Sequence, residues 1–333
     1  MKAGFLVGPR KIEIQEVPLP NPEPEEVLIK ISKVGICGSD VHLFLGHRKI
    51  PYPQIIGHEG IGQIVALGQN VKQRKIGEWV AVEPNIPCGN CRFCNLGKGN
   101  ICPNKRTIGL NSPGCFAEFV CVPENFCWKI PEGMKTEEAL LIEPSAVIVH
   151  ALSLTQAKPG QSIAVIGLGA IGMLLTDLAL LLGYKVHVAE INEEKINKAV
   201  SLGAISSPKD LDELKILWEK EEVQAVFECG GSAKTVNMAT ELAPRGSEIV
   251  LLGLSEDLAH FQPLKIVREG IKIIPSLIYN HPQDFRQTIE LMACGKFLPG
   301  KFLGTGYRLE ALQEALEVAA SGSQIKVWIS MQD

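Results

Sequence analysis

Residues 162–172 read SIAVIGLGAIG, and this stretch decides the fold. An apolar strand leads straight into a G-x-G-x-x-G motif, and a helical pattern follows. In such a motif Gly167 permits the tight turn, Gly169 lets backbone approach a pyrophosphate, and Gly172 lets the helix pack against the strand. The helix N-terminus offers free N–H groups and a positive dipole end to the phosphates. The predicted cofactor-binding residues of this turn are Gly167, Gly169, Ala170, Ile171 and Gly172.

The next predicted strand ends at Glu190, about 20 residues further on, where a carboxylate can accept hydrogen bonds from ribose hydroxyls. The same carboxylate repels a 2′-phosphate, and no Arg follows it, because the next residues are Ile191 and Asn192. These features favour NAD over NADP. Lys195 lies close enough in sequence to keep NADP open as an alternative.

From Ser162 to Ser276 strands alternate with helices, and that alternation indicates a parallel sheet covered on both faces. The predicted strands are Ser162–Ile166, Lys185–Glu190, Val223–Glu228, Glu248–Leu252 and Ile271–Ser276, with a weaker one near Ala204. The predicted helices are Ala170–Leu182, Glu193–Leu202, Leu211–Lys220 and Ala233–Leu242.

The two ends of the chain differ from the middle in composition and in the pattern of their apolar residues. The first 145 residues are rich in Pro and Gly and carry short apolar stretches, which predicts a β-rich domain. The tail is mixed, with helices predicted at Phe285–Cys294 and Leu309–Ala320 and a strand at Gln324–Ile329. We therefore expect a sheet domain inserted between two pieces of another domain.

Length and composition agree with this organisation. A chain of 333 residues exceeds what one hydrophobic core usually supports, so two domains are expected. The net charge of −4 excludes the basic footprint of a nucleic-acid-binding protein. No apolar run is long enough for a bilayer, and the first residues lack the apolar region of a signal peptide, so we expect a cytoplasmic protein.

Four of the ten cysteines cluster in residues 88–102, which read CGNCRFCNLGKGNIC. Four thiolates close together satisfy tetrahedral zinc and leave no open position, which is typical of a structural site. The predicted ligands are Cys88, Cys91, Cys94 and Cys102. An iron–sulfur cluster is the alternative, but its bacterial spacing places three residues before the last cysteine, whereas seven stand here.

Three further fragments hold residues that can bind a catalytic metal. They read GICGSDVH at 35–42, GHEG at 57–60 and EPSAVIVH at 143–150. A catalytic zinc takes three protein ligands and keeps one open position. The candidates are Cys37, His58, Glu59 and Glu143. The fragments lie too far apart for spacing alone to show that they converge.

The order of these fragments, the four-cysteine lobe and the glycine motif resembles the zinc-containing medium-chain dehydrogenases along essentially the whole chain. The polyol, threonine and butanediol dehydrogenase branch is the most similar. The resemblance implies an α/β fold in which a GroES-like catalytic domain, 1–145 and 279–333 with a zinc lobe at 86–103, holds an inserted Rossmann domain at 146–278. It also implies one catalytic and one structural zinc, NAD, an alcohol or ketone substrate, and a homodimer or homotetramer without nucleic-acid or membrane partners.

The resemblance also assigns roles in catalysis. Cys37 and His58 match zinc ligands, while Glu59 and Glu143 match two carboxylates that share the remaining role in an order left open. Ser39 matches the hydroxyl that relays the substrate proton, His42 matches the end of that relay in some members, and Asp40 matches a carboxylate that orients the zinc-binding histidine. The implied reaction is hydride transfer between a secondary alcohol, diol or polyol and NAD.

One departure and two alternatives remain. Sorbitol-type members carry an Arg where Ile278 stands, which favours a small diol or simple secondary alcohol over a long polyol. The predicted pocket residues are Phe44, Leu45, Ile108 and Tyr279.

A zinc-free NADPH reductase is disfavoured by the retained zinc ligands. A zinc- and dinucleotide-binding redox sensor or scaffold without turnover is disfavoured by the retained Ser39.

Overall fold

The computed structural model describes residues 1–331, which form two compact units. The first unit comprises Met1–Pro144 together with the described residues from Asn280 onward, and the second comprises Ser145–Tyr279. The second unit is therefore an insertion within the first. Among the described residues, no helix has the length and apolar character that a bilayer crossing needs.

The first part of the chain consists mostly of short strands. They are β1 (Lys2–Gly8), β2 (Lys11–Glu16), β3 (Glu26–Gly35), β4 (Gln54–Ile55), β5 (Glu59–Leu67), β6 (Trp79–Val82), β7 (Asn85–Ile86), β8 (Arg106–Thr107), β9 (Phe119–Pro123) and β10 (Cys127–Lys129). The helices are α1 (Gly38–Phe44), α2 (Arg92–Asn95), α3 (Thr136–Ala139) and α4 (Ile142–Ser153), with 3₁₀ turns at Gly99–Ile101 and Glu124–Phe126.

Strands and helices alternate through the middle of the chain. The strands are β11 (Ser162–Ile166), β12 (Lys185–Ala189), β13 (Ile205–Ser206), β14 (Ala225–Glu228), β15 (Glu248–Leu251) and β16 (Lys272–Pro275). The helices are α5 (Ala170–Leu181), α6 (Glu193–Ser201), α7 (Leu211–Lys220), α8 (Ala233–Leu242) and α9 (Pro263–Glu269).

The last part of the chain returns to the first unit. It contains α10 (Gln283–Ala293), β17 (Leu303–Arg308), α11 (Leu312–Ser321) and β18 (Lys326–Ser330), with 3₁₀ turns at Pro299–Phe302 and Leu309–Ala311. β18 pairs antiparallel with β3, so the tail of the chain lies inside the sheet built by its beginning.

The main sheet of the first unit has the strand order β10-β6-β5-β3-β18-β17, and β9 also pairs with β3. β3 is buried along nearly its whole length because β5, β9 and β18 all pair with it. α11 packs against β18 and α1 and buries Leu312 and Leu316 in the core of this unit. β3 and its partners therefore form a rigid frame for the side chains at their ends.

The sheet of the second unit is parallel throughout, with the order β13-β12-β11-β14-β15-β16. Numbered within the unit, this order is 3-2-1-4-5-6, the doubly wound arrangement that binds dinucleotides where the strand order reverses. β11, with the glycine motif after it, stands at that reversal. The α/β fold class, a GroES-like domain with an inserted Rossmann sheet, is thus confirmed.

Several elements were not predicted from the sequence, and three of them show why. α4 begins at Ile142 and contains Glu143, but its apolar run shows no clear helical period. α9 and β17 are short and largely exposed, so neither has the hydrophobic pattern that reveals a buried element.

Candidate zinc and dinucleotide sites

The four lobe cysteines converge although they lie on a short helix and its flanking turns. The sulfur atoms of Cys91 and Cys94 are 3.5 Å apart, those of Cys91 and Cys102 3.8 Å, and those of Cys88 and Cys94 4.0 Å. Four sulfurs at about 2.3 Å from one zinc ion in a tetrahedron would be about 3.8 Å from each other. The lobe therefore fits a structural zinc ion without rearrangement.

The backbone supports this cluster. The N–H of Cys88 donates to the sulfur of Cys102 at 3.4 Å, which stabilises negative charge on that sulfur. The lobe buries little of its own apolar surface, and Leu96 is 60% exposed. Because packing contributes so little here, metal binding would supply much of the folding free energy of the lobe.

The second group of metal donors starts at the N-terminus of α1. Asp40 is fully buried, and one of its oxygens accepts a hydrogen bond from the N–H of Cys37 at 2.9 Å. Its other oxygen accepts from the N–H of Gly57 at 3.2 Å and lies 3.3 Å from Nδ1 of His58. Asp40 thus fixes the residues on either side of the site and leaves Nε2 of His58 as the metal-facing nitrogen.

Sulfur, nitrogen and oxygen donors meet at this point. The ligand atoms of Cys37, His58 and Glu59 all lie within 4.8 Å of one another. Burial lowers the pKa of His58, but Asp40 and Cys37 raise it by more, to well above its ordinary value. Ser39 Oγ lies 3.4 Å from Nε2 of His58. Three mixed donors with a hydroxyl beside them fit a catalytic zinc site with an open position.

Lys326 lies beside these donors, and sequence reasoning missed it. Its ammonium group, in a side chain only 2% exposed, donates a hydrogen bond to Glu59 Oε1. Burial lowers the pKa of Lys326, but Glu59, Cys37 and Glu143 together raise it above its ordinary value. Gly35 on β3 leaves the room for this pair, because β3 lies between β5 and β18 in the sheet. A Cβ at position 35 would lie 2.1 Å from Glu59 Oε2 and would clash with it.

Glu143 and His42 lie at the edges of this site. Glu143 is 7% exposed, stands in the first turn of α4, and is close enough to raise the pKa of Lys326. His42 is exposed on α1, one turn beyond Ser39, and its pKa is lowered by partial burial and by the charge of His47. The first unit therefore contains all four predicted catalytic residues. They lie on α1 (Ser39 and His42), β5 (Glu59) and α4 (Glu143).

The glycine turn of the second unit has the geometry that the motif predicts. Gly167 has a φ of 87°, which a residue with a side chain rarely adopts. A Cβ on Gly172 would lie 1.9 Å from the carbonyl oxygen of Gly167, so the helix packs where only glycine fits. Nothing lies within 4 Å of a Cβ built on Gly169, the N-cap of α5. Open space beside a helix N-terminus suits a pyrophosphate, and Ala170 and Ile171 supply the N–H groups of the first turn.

Glu190 lies at the end of β12 and is already fixed by backbone. One oxygen accepts from the N–H of Leu168 at 2.6 Å, and the other from the N–H groups of Ile191 and Asn192 at 2.7 and 3.0 Å. The carboxylate is thereby held beside the glycine turn. Lys195 is half-buried in the first turn of α6.

Glu228 supports the same turn, and the sequence analysis missed it as a functional residue. One oxygen of this fully buried side chain accepts from the N–H groups of Gly230 and Gly231, both at 2.8 Å. A Cβ on Gly167 would lie 2.9 Å from the Cα of Gly230, so this loop forms one wall of the turn. A charged residue at the end of the apolar stretch 225–228, AVFE, is the signal that could have indicated it.

The predicted pocket residues have different environments. Phe44 and Ile108 are buried in the core of the first unit, and Leu45 packs against that core. Tyr279 is 2% exposed and ends the second unit.

Comparisons with protein families match both units. Residues 23–132 match the family described as the alcohol dehydrogenase GroES-like domain, and residues 170–294 match the zinc-binding dehydrogenase family.

Relatives extend this match to the full chain. A zinc-type alcohol dehydrogenase-like protein of Escherichia coli, YdjJ, is 35% identical over 99% of this chain and 98% of its own length. The sorbitol dehydrogenase of Bacillus subtilis is 32% identical over 96% of this chain and 93% of its own. The crystal structure of galactitol-1-phosphate dehydrogenase from Escherichia coli superposes with a TM-score of 0.92 at 27% identity, covering 99% and 100% of the two chains.

Proposed function

Because the chain belongs to the zinc-binding, GroES-like alcohol dehydrogenases, we propose that it oxidises the secondary hydroxyl of a small alcohol, diol or polyol to the ketone with NAD. The observation that carries the proposal is the convergence of Cys37, His58 and Glu59 beside Ser39. The names of two relatives, sorbitol dehydrogenase and galactitol-1-phosphate dehydrogenase, support a hydroxyl-rich substrate.

The residues of the first unit have distinct tasks in this reaction. Cys37, His58 and Glu59 would hold the catalytic zinc, and Glu143, which raises the pKa of Lys326, is the alternative carboxylate. When bound, zinc supplies a Lewis acid for the alcohol oxygen and NAD supplies the hydride acceptor. The hydroxyl of Ser39 accepts the alcohol proton while passing its own proton on, and His42, exposed one turn further along α1, suits the release of that proton to water.

The second unit positions the cofactor. The glycine turn receives the pyrophosphate at the N-terminus of α5, and Glu190 accepts hydrogen bonds from the adenosine ribose. Because this carboxylate is fixed by three N–H groups, it would repel a 2′-phosphate rather than swing away. Lys195 stands nearby on α6.

We expect the zinc-loaded protein to reduce NAD with at least one member of a panel of secondary alcohols, diols and polyols, and to prefer NAD to NADP. Glu190→Ala should lower kcat/KM for NAD by about tenfold or more and narrow the preference, since hydrogen bonds to charged groups contribute about 1.5–3 kcal/mol. Initial rates followed by NADH absorbance measure both effects. Zinc and NADH binding without any turnover would contradict the proposal and favour the sensor alternative.

We further propose that the protein assembles with copies of itself through the edge strand β16. This strand lies at the edge of the sheet, so one row of its backbone groups has no partner strand among the described residues. Pro275 contributes no N–H to that row. Ile273 on this strand is 37% exposed, and Val267 on α9, the helix that precedes the strand, is 79% exposed. A twofold axis beside β16 would pair two such edges and cover this surface.

Ile273→Lys should therefore shift the molar mass in light scattering towards the monomer value of 36.2 kDa. Ile216→Lys is the matched control, because Ile216 is 65% exposed on α7 rather than on β16. A wild-type protein that is already monomeric would contradict the proposed assembly.

We also place the protein in the cytoplasm, where ten unpaired thiols stay reduced.

A further inference from the structure

Glu228 ends the strand that lies beside the glycine turn. It is the last residue of β14 and pairs in parallel register with Ile166, the last residue of β11. The strand order of the sheet reverses between these two strands, and dinucleotides bind in the crevice at such a reversal. The loops that leave the sheet here, beginning at Gly167 and at Cys229, therefore form the two walls of that crevice.

The side chain of Glu228 fixes the shape of the second wall. This fully buried carboxylate accepts hydrogen bonds through Oε1 from the N–H groups of Gly230 and Gly231. Gly231 has a φ of 64°, so the loop turns sharply at the carboxylate in a conformation that suits glycine. Because Gly230 packs closely against Gly167, the loop has little room to move without Glu228.

The same residue also holds the loop that follows β15. The carbonyl oxygen of Glu228 accepts hydrogen bonds from the N–H groups of Leu252 and Gly253, at 3.0 and 3.1 Å. A Cβ on Gly253 would overlap the backbone of Gly231 and lie 2.6 Å from Oε2 of Glu228. Glu228 thus joins the loops after β14 and β15 into one surface at the carboxyl edge of the sheet.

Stability alone does not explain a carboxylate at this position. Oε2 of Glu228 is buried and has no hydrogen-bond partner among the residues that the structure describes. A buried polar atom without a partner costs stability, so a side chain whose atoms are all satisfied would suit the fold better. Local costs of this kind are expected at functional sites.

The position of this surface indicates which half of the cofactor it serves. A doubly wound sheet consists of two halves, each of which binds one mononucleotide. Glu190, which we propose binds the adenosine ribose, follows β12 on one side of β11. β14 and β15 lie on the other side of β11, so their loops belong to the half that is left for the nicotinamide nucleotide.

We propose that Glu228 is a positioning residue that holds the loops after β14 and β15 in shape for the nicotinamide half of NAD. This role rests on the proposed dehydrogenase function. Glu228 acts through the backbone of Gly230 and Gly231 rather than by touching the cofactor. Its loss should therefore weaken binding of the whole cofactor and spare binding of the adenosine half.

Binding of NADH and of AMP, which carries the adenosine half alone, tests this proposal on the zinc-loaded protein. NADH fluorescence gives one dissociation constant and calorimetry gives the other. In Glu228→Ala we expect the Kd for NADH to rise about tenfold or more, because two charge-assisted hydrogen bonds that fix the loop are lost, and the Kd for AMP to stay within about twofold. Glu228→Gln should keep most of the NADH affinity, since its amide oxygen can accept both hydrogen bonds.

Gly253→Ala reaches the same loops without removing the carboxylate. Its methyl group would displace Gly231, so we expect the same selective loss of NADH affinity. This variant keeps the proposal falsifiable if Glu228→Ala does not fold.

Glu248→Ala is the matched control. Glu248 is 5% exposed and lies at the start of β15, so it is at the opposite edge of the same sheet. Its carboxylate accepts hydrogen bonds from Thr155, Gln156 and Lys272 at 2.7, 2.7 and 3.0 Å. The replacement should lower the melting temperature of the protein and leave both dissociation constants unchanged.

An equal loss of NADH and AMP affinity in Glu228→Ala would overturn the inference, because the carboxylate would then support the unit as a whole. Unchanged NADH affinity in that variant, or the same selective loss in Glu248→Ala, would overturn it as well. Failure of the proposed function shows differently, as a wild-type protein that does not bind NADH.

Discussion

Replacing Cys37 with serine is expected to lower kcat/KM for the alcohol by at least about a thousandfold and to remove one of two zinc ions per chain. The thiolate is the strongest of the three donors that converge beside Ser39, and a serine hydroxyl binds zinc poorly. Losing a Lewis acid forfeits several kcal/mol of transition-state stabilisation, and each 1.36 kcal/mol is tenfold in rate. Zinc by mass spectrometry and NAD reduction measure the two effects together.

Cys294→Ser is the matched control, because this thiol is exposed at the C-cap of α10 and belongs to neither group of donors. It should keep two zinc ions and full turnover. The lobe zinc should survive in Cys37→Ser, since its four sulfurs are separate from this site. One zinc in the wild type that the Cys37 replacement leaves unchanged would mean that only the lobe binds metal.

The sequence predicted best those features that are local in the chain. The glycine motif and the four-cysteine lobe each lie within 15 residues, so their spacing alone indicates the geometry. The strand Ser162–Ile166 and the helices Leu211–Lys220 and Ala233–Leu242 were predicted to the residue for the same reason. Hydrophobic period and turn residues act over these short distances.

Features that depend on distant pairing could not be predicted in this way. Lys326 reaches Glu59 across 267 residues of sequence, and only the pairing of β18 with β3 brings them together. Nothing around Lys326 in the sequence marks it as buried. The need for Gly35 is equally invisible, because it arises from the carboxylate of the neighbouring strand.

The choice between Glu59 and Glu143 shows the same limit. Both stood as candidates on resemblance, and no pattern in the sequence ranks them. In the structure the oxygen of Glu59, but not that of Glu143, groups with the donors of Cys37 and His58. Glu59 also has a buried cation as its partner, the ammonium group of Lys326. Lys326 therefore offsets the negative charge that Glu59 brings to the site.

Replacing Lys326 with methionine should lower the free energy of unfolding of the metal-free protein by about 3–5 kcal/mol. The change removes one partner of a buried ion pair and leaves the Glu59 carboxylate, itself 1% exposed, without its cation. Breaking such a pair costs this much because an uncompensated charge stays in a medium of low polarity. Urea unfolding in the presence of a chelator measures the loss and prevents zinc from replacing the missing cation.

The double replacement Lys326→Met/Glu59→Gln tests the cause, because a neutral amide does not need the ammonium group. We expect it to recover most of the lost stability, which gives a large coupling energy in a double-mutant cycle. Lys33→Met is the matched control: Lys33 pairs with Glu137, whose side chain is 48% exposed, so its loss should cost about 1 kcal/mol or less. Equal costs for Lys326→Met and Lys33→Met, or no recovery in the double variant, would mean that the buried pair does not hold β5 and β18 around the metal donors.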